Sequence, residues 1–463
     1  MSVSEVLGAI GERSTRGASK PLLVAEALER ALVDGRLPLG VQLPGERPLA
    51  NALGVSRVTL VEALGRLRAQ GWIVTRHGSG TTTTLPKNYT IRTEPASLRS
   101  PKGMLNLAQA MPAAPLHAVL QAMRSIDYDL RRELVDTGYH AGGVAALRAR
   151  IAGLLTTDDV PAAAEEVLIT SGAMDALAVS LRLVGAAARR QCVVVEAPTY
   201  PGALSVLHHA ARPIPWPTPD DATTLGLLFA RHRPDAMFLV PDGHNPTGAI
   251  RPPEWRTEVA REARRHGVRL IVDHTLRPLD LRGAPCLEPP MTATESHALV
   301  VGSFAKIVWS GLRVGWLRAS AAEVGYLTDL GVGGASVVDQ LLLLQLLDDH
   351  DRYVAQRRDH LAATRDAFVA ALPTDQFELD GAPAGGIAIW LRLTSCSATM
   401  LARAAAAGGI TIAPGPTFHA DQRGDGHIRL PLTLDAQNVA DTITRLNDLA
   451  QQVCYERQMD NRT

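Results

Sequence analysis

GSFAKIVWSGLRVG, residues 302–315, follows directly on the β-rich run Leu299-Val300-Val301. A lysine placed just after a strand, among apolar residues, is biased toward its neutral and nucleophilic form. Ser303 and Arg313 flank Lys306 and can bind an anion, Arg313 with its fork of donors. Upstream, Asp273 ends the run Leu270-Ile271-Val272, which places a carboxylate at the carboxyl end of a strand. Further upstream, Thr170-Ser171-Gly172-Ala173 follows the strand-like Val167-Leu168-Ile169 and opens a helix. The backbone N–H groups of Gly172 and Ala173 and the Ser171 hydroxyl then face an anion. Between these lie Tyr200, in Ala197-Pro198-Thr199-Tyr200, and Asn245, in His244-Asn245-Pro246-Thr247-Gly248; Arg429 stands near the end, in His427-Ile428-Arg429-Leu430.

Pyridoxal phosphate (PLP) chemistry needs a Schiff-base lysine, an anion for the pyridine nitrogen, a phosphate cup, a face to stack on and usually an arginine for a substrate carboxylate. Lys306 supplies the first and Asp273 the second. Ser171, Gly172, Ala173, Ser303 and Arg313 form the cup. Tyr200 stacks, Asn245 bonds the ring hydroxyl and Arg429 holds the carboxylate. Taken singly, each has an ordinary reading: a surface lysine, a turn-capping aspartate, a core tyrosine, a strand-face arginine. Their order and spacing are not explained that way.

The same alternation of short β-rich runs, among them Val193–Val195 and Ala236–Val240, with amphipathic helical stretches continues from about Leu105. It predicts a mostly parallel α/β sheet covered by helices, with a smaller α+β subdomain after about residue 335. The chain of 463 residues is too long for one core. Residues 1–84 read as one domain, 85–103 as a linker and 104–463 as the large domain. The linker carries Pro86, Pro95 and Pro101, little apolar periodicity and an excess of three positive charges. Formal net charge is zero over the whole chain, so any basic surface is local. None of the four cysteines, Cys192, Cys286, Cys396 and Cys454, pairs with another at metal-ligand spacing, so no metal site and a reducing compartment are expected. Met1 to Lys20 has no apolar signal segment and no apolar run spans a bilayer, so a cytoplasmic location and no membrane contact are expected.

Residues 20–84 have a different texture. Pro21–Val33, Glu46–Leu53 and a stretch from the N-cap Ser56 to Gln70 read as helices, the latter two stopped by Gly54 and Gly71. Trp72–Thr75 and Thr81–Thr84 read as a hairpin turning at His77-Gly78-Ser79-Gly80. This order is that of a winged helix-turn-helix. Such a motif lays its second helix in the major groove, so Ser56, Arg57 and Thr59 would face bases or phosphates, with Arg57 bidentate to guanine. Arg47 would touch the backbone, and Arg76, His77 and Gly78 would form a wing tip entering the minor groove. Residues 44–84 hold five arginines against two glutamates, a local charge of +3. Solvated arginines on a small helical domain, or a protein-interaction module, would share this composition.

The text from Gly35 to Thr81, GxLPxGxxLPxERxLAxxLGVSRxTxxxALxxLxxxGW followed by RHGSGT, resembles the GntR family of bacterial regulators nearly position for position. SGxxxAL, PTY, NPTG, the strand-ending Asp, SxxKxxxxGLRxG and IRL follow the succession of fold-type I aminotransferases from about Leu105 onward. Joined, the two halves resemble the MocR subgroup of GntR regulators. That resemblance implies PLP on Lys306, a head-to-tail homodimer with its site at the dimer interface, operator DNA as partner and a small-molecule effector. Tyr139, in Tyr139-His140-Ala141-Gly142-Gly143, matches a family segment near the cofactor. One departure concerns activity. Many relatives carry a tyrosine two or three residues beyond the pyridine-binding Asp, where this chain reads Asp273-His274-Thr275-Leu276. Thr275 is left as a weaker partner for the ring hydroxyl, which favours a non-enzymatic regulator whose operator binding responds to PLP or to an amino acid or amine reacting with it. A working aminotransferase with an accessory winged helix is the alternative; a regulator whose large domain is a scaffold without PLP fits poorly with the retained Lys306, Asp273, Arg313 and Ser171.

Overall fold

The computed structural model describes residues 3–10, 20–33, 37, 41–76, 80–84, 104–156, 160–185, 191–283, 289–294, 297–372, 374–379 and 381–460. The chain divides into two compact units, Met1–Arg92 and Thr93–Thr463. The linker expected at 85–103 lies outside the described residues.

The first unit holds helices α1 (Val3–Ile10), α2 (Lys20–Val33), α3 (Glu46–Ala52) and α4 (Arg57–Ala69), then a hairpin of β1 (Ile73–Arg76) and β2 (Gly80–Thr83). α1 was not anticipated, because Met1–Lys20 shows little apolar periodicity; Val6 nonetheless joins the core. Leu60, Ala63, Leu64 and Leu67 recur at helical spacing and bury one face of α4 against Leu28, Leu49 and Trp72. Removing one such leucine side chain costs about 2–5 kcal/mol. Leu43 and Thr83 bond backbone to backbone with Thr81 and Val41, adding a third extended segment to the hairpin. Trp72 Nε1 donates to Glu29 Oε1 (3.2 Å) and Arg68 donates to Thr75 Oγ1 (2.9 and 3.2 Å), fixing the wing on the helices.

The second unit is built on a seven-stranded sheet: β3 (Val167–Thr170), β4 (Cys192–Glu196), β5 (Arg212–Trp216), β6 (Ala236–Leu239), β7 (Arg269–Asp273), β8 (Leu299–Ser303) and β9 (Gly315–Arg318), in the order β3-β9-β8-β7-β6-β4-β5. β9 runs antiparallel to both neighbours and the other pairings are parallel. Every residue of β3, β6 and β8 is buried, as helices on both faces of a parallel sheet require. A smaller antiparallel sheet joins β10 (Phe377–Leu379), β11 (Ala388–Leu393), β12 (Ala413–Pro414) and β13 (His427–Pro431). The division into parts is not purely sequential. Leu105–Asn106 pairs in parallel with Ile410–Thr411, and Leu107 and Ala110 enter the core of the small part, so the segment that opens the unit belongs with its end.

Candidate functional site

In the first unit, Ser56 caps α4: its Oγ accepts from the Thr59 N–H at 3.1 Å and lies 2.8 Å from Thr59 Oγ1. Ser56 and Thr59 are thus spent partly on each other. Arg57 is exposed, and its Nε and Nη2 donate to Glu46 Oε2 at 3.1 and 3.0 Å. Arg47 is exposed in the first turn of α3. Arg76 pairs with Gly80 at the end of the hairpin; the tip residues His77 and Gly78 lie outside the described residues. Sequence reading missed Val58 and Val61, which are exposed on α4 beside Arg57. Their signal was available: both fall outside the buried stripe of that helix.

In the second unit, the carboxyl ends of β7 and β8 open on a cleft, the usual place for a ligand in such sheets. Apart from Ser171, Arg429 and Tyr139, every residue expected around the cofactor and its substrate lines it. Ser171 instead donates its N–H to Asp175 Oδ2 at 2.9 Å, just before helix α5 (Ala173–Gly185). Lys306 Nζ donates to the Ala110 carbonyl at 3.0 Å and lies 3.0 Å from Met111 Sδ. Burial, aided by the nearby Arg429 charge and opposed by Asp273, lowers its pKa to about 8. Asp273 is 5% exposed, accepts from the Thr275 N–H at 2.8 Å and has its carboxyl pKa raised by burial. Burial and the Asp273 charge likewise push the Tyr200 phenol up.

Arg313 takes a left-handed backbone (φ 46°) and lies against Gly172 at the head of α5. A Cβ on Gly172 would sit 3.5 Å from Arg313 Nη2, and Gly172 itself has φ +121°. A Cβ on Gly315 would come within 2.4 Å of the Gly172 carbonyl carbon. Glycine at both positions lets β9 approach the helix head, so that a guanidinium and free helix N–H groups converge. Asn245 is buried and its Oδ1 has no hydrogen-bond partner. Thr275 Oγ1 is also buried and unpartnered, and Leu276 is the cleft residue three beyond Asp273.

Arg429 lies on β13, opposite Trp390 of β11. It is not part of the cleft's lining, yet its charge acts on Lys306 and Tyr200. It is 7% exposed; Nη2 donates to the Ala108 carbonyl at 2.6 Å, while Nε and Nη1 are buried without a partner. Burial lowers its pKa to about 10, which leaves it charged at neutral pH. Tyr139 is 70% exposed and stands away from this chain's own cleft. The carbonyls of Ala108 and Ala110 were not foreseen, since backbone acceptors leave no mark in a sequence. Asp242 was missed as well: it accepts from Arg256 Nη2 (2.6 Å) and Arg277 Nη1 (3.1 Å), tying the loop that carries Asn245 to the one that carries Thr275.

The cleft and its sheet define an aminotransferase-type domain. Residues 103–446 match aminotransferase class I and II, and residues 22–82 match bacterial regulatory proteins of the gntR family. The chain belongs to the aminotransferase class I and II family and carries a GntR domain ahead of it, the layout of MocR-type regulators. It is 24% identical over 455 residues to the uncharacterized HTH-type transcriptional regulator YdfD of Bacillus subtilis, covering 90% of this chain and 93% of that one. It is 29% identical over 331 residues to the HTH-type pyridoxine biosynthesis transcriptional regulator PdxR of Corynebacterium glutamicum, covering 69% and 70%. Among solved structures, LysN, the α-aminoadipate aminotransferase of Thermus thermophilus complexed with N-(5'-phosphopyridoxyl)-L-leucine, superposes with a TM-score of 0.66 at 24% identity, over 76% of this chain and 93% of that one. That likeness shows the fold. Among the described residues, no helix is long and apolar enough to cross a membrane.

Proposed function

We propose that this chain is a transcriptional regulator that binds operator DNA through its winged helix and senses PLP, or an amino acid or amine reacting with PLP, in its second domain. The observation that carries the sensing part is Arg429, a buried guanidinium whose Nε and Nη1 lack hydrogen-bond partners and whose charge helps lower the pKa of Lys306. An unsatisfied buried cation costs several kcal/mol, which a ligand carboxylate would recover (about 2–5 kcal/mol for such pairs).

The cleft residues fit PLP. Asp273 would face the pyridine nitrogen, and Arg313, Ser303 and the N–H groups at the head of α5 would hold the phosphate. Tyr200 would stack on the ring, and Asn245, whose Oδ1 has no partner, would bond its hydroxyl. Lys306 would hold the PLP aldehyde, and the bound group would supply an electron-withdrawing ring. Leu276 offers no donor where many relatives have a tyrosine, which supports a regulator without efficient transamination. Leu116, Leu120, Met123, Leu134 and Val135 are exposed apolar residues on the helices Leu116–Ser125 and Asp127–Leu134 and just after them, which supports a homodimer through this unit. Tyr139 follows that surface in sequence and would serve the partner's cleft.

The experiment is operator binding by PLP-loaded wild type and Arg429→Ala against a panel of amino acids, with amine-donor turnover measured in parallel. An amino acid that changes wild-type binding and leaves Arg429→Ala unmoved supports the clamp. If only PLP added to apoprotein changes binding, PLP is the signal and Arg429 holds nothing. Turnover at ordinary enzymatic rates would make the protein an aminotransferase instead.

A further inference from the structure

The outward centre of α4 is uncharged. Opposite its buried stripe stand Val58, Val61 and Gly65, spaced at i, i+3 and i+7 along one face. Val58 is 77% exposed and Val61 42%. Charged side chains border the strip: Arg57, held by Glu46, and Arg68, held by Thr75, on one side, and Glu62 paired with Arg66 on the other.

Nothing in the unit's own packing calls for these three residues. β-Branched valine loses side-chain freedom in a helix, and a mid-helix glycine costs about 0.5–1 kcal/mol relative to alanine. A Cβ at Gly65 would meet nothing within 4 Å, so no close internal contact requires the glycine. The face is therefore shaped for an outside surface that is partly apolar and approaches closely. Val58 lies in the first turn of α4, next to the capping Ser56 and to Arg57, the turn that a recognition helix inserts deepest. In the major groove the apolar group that projects from the base edges is the thymine C5-methyl.

We propose that Val58 and Val61 read thymine methyl groups adjoining the guanine contacted by Arg57, with Gly65 clearing room for the groove wall. The inference rests on the operator-binding reading above and adds to it the base composition of the half-site.

The test begins with full-length, PLP-loaded protein selecting duplexes from a random-sequence library. The enriched half-sites should place a guanine within one or two base pairs of T·A or A·T pairs. Each of those thymines is then replaced by deoxyuridine, which keeps the hydrogen-bonding edge and lacks the methyl. Wild type should bind the substituted duplex about fourfold more weakly for each methyl that is buried. Val58→Ala or Val61→Ala should bind thymine and deoxyuridine equally at its own position. Arg57→Ala should keep the deoxyuridine penalty. Both valines are exposed, so these variants leave the core intact. If deoxyuridine is neutral at every position for wild type while Arg57→Ala loses guanine preference, the valine reading is wrong and the regulator reading stands. If the valine variants keep the full penalty, the valine reading is again wrong. If the library yields no enriched sequence, operator binding itself fails, and the valine reading with it.

Discussion

Arg57 gives two hydrogen bonds to one oxygen of Glu46, at 3.1 and 3.0 Å, bridging the start of α4 to the start of α3. The pair is exposed, so it contributes little to stability. Its effect lies in where it holds the guanidinium, and in the negative charge it keeps beside the helix proposed to face DNA. Arg57→Ala should weaken operator binding by about 1–3 kcal/mol and leave random-duplex binding nearly unchanged. Glu46→Gln should strengthen binding to random DNA, because a carboxylate that repels phosphate is gone, and so lower the specificity ratio. Titrations on both duplexes across salt check this; equal losses on both for Arg57→Ala would remove its base-reading role.

Arg47 should behave differently. It is exposed with no carboxylate partner among the described residues, as a phosphate contact would be. Arg47→Ala should weaken operator and random DNA alike and reduce the salt slope by about one. An unchanged slope would place Arg47 away from the duplex.

Lys306 should carry the visible absorption of the PLP-loaded protein. Lys306→Ala should lose the band and its fixation by borohydride while far-ultraviolet circular dichroism is unchanged. A mutant that still shows a reducible chromophore would move the attachment elsewhere.

The pH dependence of PLP capture follows from the lowered pKa of that lysine. Only the neutral amine attacks, so the capture rate by apoprotein should rise with pH to a midpoint near the value of about 8, and not near the 10.5 of an ordinary lysine. Arg429 contributes to the lowering, so Arg429→Met should move the midpoint upward. Stability has the matching sign. Between the folded value of about 8 and 10.5 the unfolded chain binds more protons, so apoprotein stability should rise with pH across that window. Stopped-flow absorbance and denaturant unfolding read the two effects.

Asp242 is 2% exposed and Arg256 1%, and their bond at 2.6 Å sits in a buried cluster with Arg277. Nearby positive charge holds the Asp242 carboxyl below the usual carboxylate range against its burial. Asp242→Asn should cost about 3–5 kcal/mol, since it leaves buried guanidinium charge without its counter-ion. It should also weaken PLP binding, because the cluster joins the two loops that carry Asn245 and Thr275. Denaturant unfolding together with PLP titration separates these effects; full stability in the variant would show that the cluster is solvated.

Local chemistry was legible in the sequence. Ser56 marked the start of α4 and Gly71 its stop, because a helix cap acts on neighbours within one turn. The strands ending at Asp273 and Ser303 were legible for a related reason: strands buried on both faces are continuous apolar runs, and the candidate site residue is the polar one that breaks the run. The close approach of Gly315 to Gly172 was not legible, because the clash that a Cβ would make is between segments more than a hundred residues apart. What tertiary structure alone decided are contacts across hundreds of residues. Lys306 reaches the Ala110 carbonyl and Arg429 that of Ala108 because Leu105–Asn106 pairs with Ile410–Thr411. Backbone carbonyls are the same in every residue, so no side-chain pattern could announce them. The lowered pKa of Lys306 was foreseen as a tendency from its apolar neighbours. Its extent depends on burial and on a charge that arrives from position 429, and burial and distance exist only once the chain has folded.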